Sequence, residues 1–432
     1  MGIILKNGKL LDLDTGLLLS REIEIEEGLV RKIKDHIEIP ETHNLQVIDL
    51  RGGVIVPGFI DMHVHLRDPG LEYKETIETG TKAAARGGFT TVACMPNTKP
   101  VLDTPEQMRY IYETAEKTGF ARVLPYAAIT RSERGEELTD MEALKKAGAV
   151  GFTDDGVGVQ SGGMMRSAME RAKSLELPIV IHAEDETLSG KGCMNEGEVS
   201  KRLGLPGIPG VAESVHVARD VLLAELTGAH LHVCHISDAS AVDLVRWAKK
   251  RGIHVTAEVT PHHLLLTDES IDGTDANWKV NPPLRTEKDR LACLEGLLDG
   301  TIDMVATDHA PHSEEEKQRA FQVAPFGFVG LETAFPLLYS ELVLKSKLIS
   351  LPDLVKKMAT APADVFGLSG GRLRSGGVAD LTVLDLQQER TIDAGEFLSK
   401  GRNTPFVGRK VKGWPVLTVC GGRITYQNLP TA

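Results

Sequence analysis

From residue 57 to residue 366 one unit recurs: a short apolar run, then a stretch patterned for a helix. The runs are VIVPGFIDMHVHL, TTVACMPN, RVLPYAAIT, AVGFTDDG, PIVIHAED, HLHVCHIS, HVTAEVTPHH and DMVATDHAP. Between them lie amphipathic segments such as TPEQMRYIYETAEKTG (104–119), GMMRSAMERAKSLE (163–176), ESVHVARDVLLAELTG (213–228) and SAVDLVRWAKKRG (240–252). Several of these open on Ser, Thr or Pro and close on Gly, the residues that start and stop helices. Eight strand-then-helix units in succession predict an α/β fold, a (β/α)8 TIM barrel over 57–366. A doubly wound open sheet is the alternative, but no G-x-G-x-x-G follows the first strand to favour it.

The ends read differently. Residues 1–56 carry short β-like runs, IILKNGKLLD and REIEIEEGLVRKIK, and residues 367–432 carry ADLTVLDL and WPVLTVCGGRITYQ. Neither end has the apolar surface to stand alone as a stable sheet. One small composite β-sandwich domain, built from 1–56 and 367–432, is therefore expected beside the catalytic barrel.

Net charge is −12 and there is no long Lys/Arg block, which argues against a nucleic-acid or anionic-membrane partner. A local arginine can still hold a small anion against a distant acidic balance. The start, MGIILKNGKLLDLDTG, lacks a basic flank before a long apolar core, and no apolar run is long enough to span a membrane. The five cysteines, Cys94, Cys193, Cys234, Cys293 and Cys420, are odd in number and scattered. That pattern suits a reducing, cytoplasmic setting and not a disulfide framework or a Cys-rich zinc module.

Polar residues gather at the C-terminal ends of the runs, where barrels place their active sites. His63 and His65 end the first, Asn97 follows the second, and Asp154 and Asp155 end the fourth. His182 ends the fifth, His235 the sixth, and Asp308 and His309 the eighth. Histidines with carboxylates and no cysteine partners suit zinc or a similar divalent ion. This many ligands would serve two ions sharing a bridging carboxylate. Alternation turns His309 away from such ions, and it cannot choose between Asp154 and Asp155. A single histidine at a strand end is commonly structural, but here the pair recurs with others at equivalent positions. His36, His43, His216, His230, His232 and His254 read as structural or solvated, and His262 and His263 as structural. Arg67 lies two residues beyond His65, so in an extended chain it would share the face of the two imidazoles. A cation is no metal ligand, and its place beside a metal site needs another purpose.

On these residues the sequence resembles the amidohydrolase superfamily, and within it the longer, type I class of bacterial dihydroorotases. GFIDMHVHLRDPG, MPNT, GFTDDG, HAED, CHIS, EVTPHHL, KVNPPLR, DHAPH and the tail motif GGVADLTVLD carry the resemblance across essentially the whole chain. Any one is weak, and the ordered set is specific. The resemblance implies reversible, zinc-dependent cyclisation of N-carbamoyl-L-aspartate to L-dihydroorotate in pyrimidine (UMP) biosynthesis. It implies His63, His65 and Asp308 on one Zn2+, His182 and His235 on a second, and Asp155 as the bridge. With metals activating a water and polarising the ring carbonyl, Asp308 would move a proton between that water and the amide nitrogen. His65, Arg67, Asn97, Asn281 and His312 would contact substrate, as would backbone around Phe326 and Gly327. Arg67 then has its purpose, to hold the substrate carboxylate that does not react.

Two rivals remain at this stage. One is a hydantoinase or allantoinase, which shares the barrel and the His-x-His start; Arg67 and Asn281 favour the carboxylate-bearing substrate. The other is a dead homologue scaffolding aspartate transcarbamoylase, against which the full ligand set argues. A homodimer is the expected assembly, and association with aspartate transcarbamoylase stays open for an active enzyme. Many binuclear relatives bridge their metals with a carboxylated lysine at the end of strand 4, where this chain has none; Lys145 and Lys146 lie upstream. Part of SEEEKQRAFQVAPFG (313–327) is expected to be mobile without ligand and to order over the pocket with substrate.

Overall fold

The computed structural model describes residues 2–38 and 45–429. Parallel pairing runs from Phe59–Val64 to Phe89–Cys94 and on to Arg122–Pro125. It runs again from Ile179–Ile181 through Leu231–Val233 and Val255–Val259 to Met304–Val305. The fourth position is a single residue, Phe152, with one parallel bridge to Ala127 and another to Ile179, and Val64 with His309 closes the ring. Each of the eight apolar runs thus supplies one position of a closed parallel barrel.

The crossover helices form where the amphipathic pattern places them: Pro105–Thr118, Gly162–Ser174, Val211–Thr227 and Ala239–Lys250. Ser161 and Asp238 cap two of them with side-chain oxygens on otherwise orphaned backbone N–H groups. Ile60, Met62, Ala93, Val180 and Met304 from the strands, with Met95, Tyr126 and Cys234 just beyond strand ends, pack as one buried cluster. A larger cluster joins Val64, Val92 and Val233 to helix residues such as Ile111, Met165 and Val221.

The run VIVPGFIDMHVHL is not one strand. Val54–Pro57 belongs to the terminal sheet, and Phe59–Val64 enters the barrel. Pro57 has no N–H for a continuing ladder. At Gly58 the backbone lies so close to Thr90 that a Cβ would sit 2.3 Å from its side chain.

The terminal sheet runs in the order 423–427, 410–420, 381–391, 54–57, 2–11, 18–26, 29–34, with 45–49 also paired to 2–11. Its seam is Val54–Pro57, antiparallel to the C-terminal strand (Val383 opposite Ile55) and parallel to the N-terminal one (Lys9 opposite Val54). Leu5, Ile23, Ile55, Leu381, Val383 and Val419 make its core, so both chain ends build one β unit. Two features lie outside the sequence-based plan. An excursion after the fifth strand carries helices Glu186–Ser189 and Glu198–Leu203 and a short parallel pair, Met194–Asn195 with Gly207–Ile208. The connection between 391 and 410 packs back on the barrel, where Glu332 accepts N–H groups from Leu398 and Ser399 and pairs with Arg86.

Candidate active site and metal centre

Val64 and Leu66 turn into the packed core, and His63 and His65 turn the other way, as alternate residues of an extended chain do. Arg67 reaches the same place by a different route. The strand ends at Val64, and Arg67 has φ 61°, a left-handed backbone. His235 (φ 31°) and Asp308 (φ 48°) share that region. Such conformations cost L-residues ~1–3 kcal/mol and gather where a site demands them.

The histidines and carboxylates converge. His63 Nε2 lies 3.5 Å from both Asp155 Oδ1 and Asp308 Oδ1. His65 Nε2 is 3.1 Å from Asp308 Oδ1 and 3.6 Å from Asp155 Oδ2. His182 Nδ1 is 3.0 Å from His235 Nε2 and 3.9 Å from Asp155 Oδ1. Two groups of donor atoms, His63/His65/Asp308 and His63/Asp155/His235, each lie within 4.8 Å of one another. Asp155 is the member of the Asp pair that meets the histidines. Asp154 turns to the third strand's loop and accepts the N–H groups of Ile129 at 2.8 Å and Thr130 at 3.0 Å.

His63 Nε2, Asp155 Oδ1 and His235 Nδ1 are buried polar atoms with no hydrogen-bond partner among the described residues. Leaving such an atom unsatisfied costs ~1–3 kcal/mol, and imidazole with carboxylate is a donor set for a divalent cation. The residues therefore fit a metal centre. The outer partners fit it as well. His63 Nδ1 is 2.6 Å from Glu258 Oε1, His65 Nδ1 3.0 Å from Asn97 Oδ1, and His182 Nε2 3.1 Å from Glu184 Oε2. An acceptor on one ring nitrogen fixes the proton there and leaves the other nitrogen for a metal.

Glu258 and Glu184 were not singled out from the sequence. The available signal for Glu258 was a carboxylate inside a strand buried on both sides; it is held between His63 and His232, whose Nε2 is 3.2 Å away. Burial would raise the Glu184 carboxyl, but His182 and Asn281 outweigh it and bring it down to about 2. Burial likewise acts to raise Asp308; with no cation between the rings, a hydrogen bond from His65 and positive charge on the surrounding histidines would hold it below the usual carboxylate range.

Beside these groups lies a cavity of about 300 Å3. Its walls include His65, Arg67, Asn97, Asp155, His182, His235, Asn281, Asp308, His312, Phe326 and Gly327; of the expected site residues only His63 sits beneath. Arg67 is 9% exposed, donates from Nε to the Pro311 carbonyl at 3.2 Å, and has no carboxylate within ion-pair reach among the described residues. Asn97 and Asn281 are partly committed: Asn97 spans His65 and Asp155, and Asn281 Nδ2 donates to Glu184 Oε2 at 2.6 Å. His312 Nε2 is 2.7 Å from the Phe326 carbonyl. Gly327 turns its polar groups to the protein, its N–H to the Lys279 carbonyl and its carbonyl to Asn403 and Lys317.

Asn403 is a residue that sequence reasoning missed. It comes from the connection inside the C-terminal β strands, yet its Nδ2 donates to the carbonyls of Ala310 and Gly327, both at 2.9 Å. Its Oδ1 accepts from the His312 N–H at 3.1 Å. The walls of the cavity are thus fastened from outside 57–366. In the 313–327 segment Ser313 caps Glu314–Lys317, and Lys317 Nζ donates to the carbonyls of Lys279, Pro325 and Gly327.

The remaining histidines lie off the cavity. His309 turns away, its Nδ1 accepting from Gly330 N–H and its Nε2 3.4 Å from Glu75. His230 stacks on His254, His216 meets the Glu184 carbonyl, and His263 binds Thr260 and the Pro282 carbonyl. His262 is buried with Nε2 unpartnered. His43 lies outside the described residues. Lys145 ends on the Leu175 carbonyl and Lys146 on Glu142, both remote from the metal ligands. No helix among the described residues is long and apolar enough to cross a membrane.

Comparison with known proteins adds the following. A family profile described as Dihydro-orotase-like matches residues 52–240. The chain is 57% identical to the dihydroorotase of Geobacillus sp. (strain WCH70) over 427 residues, covering 99% of each. It is 57% identical to the dihydroorotase of Bacillus caldolyticus, again over 99% of each, and 54% identical to that of Halalkalibacterium halodurans over 100% of each. Among solved structures, L-hydantoinase (dihydropyrimidinase) from Arthrobacter aurescens superposes with TM-score 0.87 at 28% identity, covering 100% of this chain and 97% of that one. Dihydropyrimidinase from Brevibacillus agri NCHU1002 superposes with TM-score 0.86 at 25% identity, covering 100% and 96%.

Proposed function

The chain belongs to the dihydroorotase family of cyclic amidohydrolases, and from that premise we propose how the residues at its barrel mouth interconvert N-carbamoyl-L-aspartate and L-dihydroorotate. The observation that carries the reading is Arg67, a buried guanidinium without a carboxylate partner beside convergent metal-ligand atoms. A buried charge is costly unless paired, and a substrate carboxylate is the partner this one lacks. A hydantoin ring offers none.

His63, His65 and Asp308 would hold one zinc ion, His182 and His235 a second, and Asp155 would lie between them. Bound there, the ions supply a Lewis acid for the ring carbonyl and a water nucleophile near neutral pH. The chain's own residues do the rest. Glu258, Asn97 and Glu184 keep His63, His65 and His182 in the tautomers that ligate. Arg67 and His312 hold the carboxylate, so that the scissile amide is presented to Asp308. In hydrolysis Asp308 takes the proton of the attacking water and gives it to the leaving nitrogen; in cyclisation it takes the proton from the carbamoyl nitrogen. An aspartate suits this role because it holds a proton only in transit between water and amide.

The type I class, two zinc ions per chain, a homodimer, a cytoplasmic location and association with aspartate transcarbamoylase belong to the same reading. Light scattering with and without the transcarbamoylase tests the assembly. The reading itself is tested by assaying L-dihydroorotate hydrolysis on protein whose metal content is measured in the same sample. Asp308→Asn is expected to bind substrate but lose roughly 10²–10⁴-fold in rate in both directions, the usual worth of a positioned acid–base group. Near-normal rates at normal metal content would remove Asp308 from the chemistry.

A further inference from the structure

His312 has two ring nitrogens with different neighbours. Nδ1 is 3.3 Å from Lys74 Nζ. An ammonium only donates, so Nδ1 must accept, and the ring proton must sit on Nε2. That proton has an acceptor, the Phe326 carbonyl at 2.7 Å. Arg67 Nη2 is 3.3 Å from the same Nε2. Both are then donors, so this approach is two N–H groups converging on one spot at the cavity wall. Lys74 is held in place by Glu316, whose Oε1 is 2.9 Å from its Nζ and also accepts from the Tyr73 hydroxyl at 3.2 Å.

We propose that Lys74 is a positioning residue for the reaction: it keeps His312 neutral and protonated on Nε2, so that the imidazole N–H held by the Phe326 carbonyl stands beside Arg67 and is shared with the substrate carboxylate when it binds. The carboxylate step rests on the function proposed above; the tautomer does not. The charged groups facing His312 are Arg67 and Lys74 from the loop after the first strand, Glu316 and Lys317 from its own segment, and Asp275, Glu314 and Arg402 around a second cavity of about 590 Å3 behind it. The nearest carboxylate is Glu316, with Oε2 3.6 Å from Nδ1. Lys74 stands between that carboxylate and the role it would otherwise take, drawing a proton onto Nδ1.

Removing Lys74 therefore has a specific signature. In Lys74→Met, Glu316 faces Nδ1 unopposed. At high pH the Glu316 carboxylate, charged where the Phe326 carbonyl is neutral, competes with that carbonyl for the ring's one proton and draws it to Nδ1, and Nε2 loses its donor. At low pH the imidazolium carries both protons, and the donor returns. The KM for L-dihydroorotate, relative to wild type at the same pH, is expected to climb about ten-fold or more as pH rises from 6 to 9, the worth of one hydrogen bond to a charged group. The kcat ratio is expected to stay nearly flat. Lys74→Arg, which still donates, should restore the wild-type profile, and adding Glu316→Gln to Lys74→Met should reduce the KM rise. A KM ratio independent of pH would overturn the proposal. So would an Nδ1–H tautomer in wild type, read by NMR of imidazole-15N-labelled protein with His312→Gln for assignment. The NMR result is read on wild-type protein and needs neither a Lys74 variant nor turnover. If it shows Nε2–H while wild type fails to hydrolyse dihydroorotate, the tautomer lock stands and the proposed function falls.

Discussion

Arg67 is held by the chain in an unfavourable backbone conformation, buried, and with no carboxylate in ion-pair reach among the described residues, which is a poor arrangement for stability and a good one for an anionic ligand. Arg67→Lys keeps the charge but loses the planar fork that grips a carboxylate with two parallel bonds. It is expected to reduce kcat/KM for dihydroorotate by roughly 10²-fold while metal content is unchanged. A loss of metal in parallel with activity would mean that Arg67 supports the ligands. Asp154 and Asp155 separate along another axis. Asp155→Ala should release metal from at least one site. Asp154→Ala should keep its metal and instead lose stability, by ~1–3 kcal/mol, for the N–H groups of Ile129 and Thr130 left without their acceptor. With an aspartate in place of a carboxylated lysine, zinc loading of the apo-protein should not depend on bicarbonate. The bridge assignment is falsified if apo-protein reconstituted in carbon-dioxide-free buffer needs bicarbonate for activity.

At the scale of elements, the strands and their polar ends were legible because both follow local rules. Each parallel strand shows as an apolar run, and the residue that ends it lies at the mouth, so His63, His182 and Asp308 could be placed together from the sequence. The fourth strand, reduced to the two bridges of Phe152, was still readable because its loop residues fall in step with the others. Arg67 lines the cavity, but a left-handed residue and not the strand alternation expected from the sequence puts it there. The connection 391–410 was not legible. Its hold on the mouth runs through Asn403, Ser399 and Leu398 to residues far away in sequence, and such contacts leave no period to read. Glu332 is the anchor of that connection, and burial pushes its carboxyl up to about 7, against the pull of Arg86 and the two N–H groups. A carboxyl whose folded value lies above its unfolded one stabilises fully below the unfolded value and loses that contribution as pH rises through the folded value. Glu332→Gln cannot ionise. Its stability relative to wild type is therefore expected to improve as pH rises from 5 to 8, measured by urea unfolding at each pH. A difference that is constant across that window would show that Glu332 ionises no differently in the folded chain.

At the scale of the whole molecule, the barrel and the composite β unit are common to this chain and to hydantoinases that superpose on it with TM-scores of 0.86–0.87. The fold therefore does not choose the substrate; the side chains at the mouth do. On the proposed reading the ligand set makes a cyclic amidohydrolase, and Arg67 with His312 would make it one that reads a carboxylate. The full chain is needed for this, because the strands of both ends form the unit from which Asn403 reaches the cavity. The most direct measurement is kcat/KM for L-dihydroorotate against dihydrouracil, the same ring without its carboxylate, on one preparation of known metal content. The carboxylate contacts of Arg67 and His312, at ~1.5–3 kcal/mol for each hydrogen bond to a charged group, set the expected preference for dihydroorotate at roughly 10³-fold or more. Equal values for the two substrates would contradict the account, leaving a metal-dependent ring opener that is blind to the group Arg67 is placed to hold.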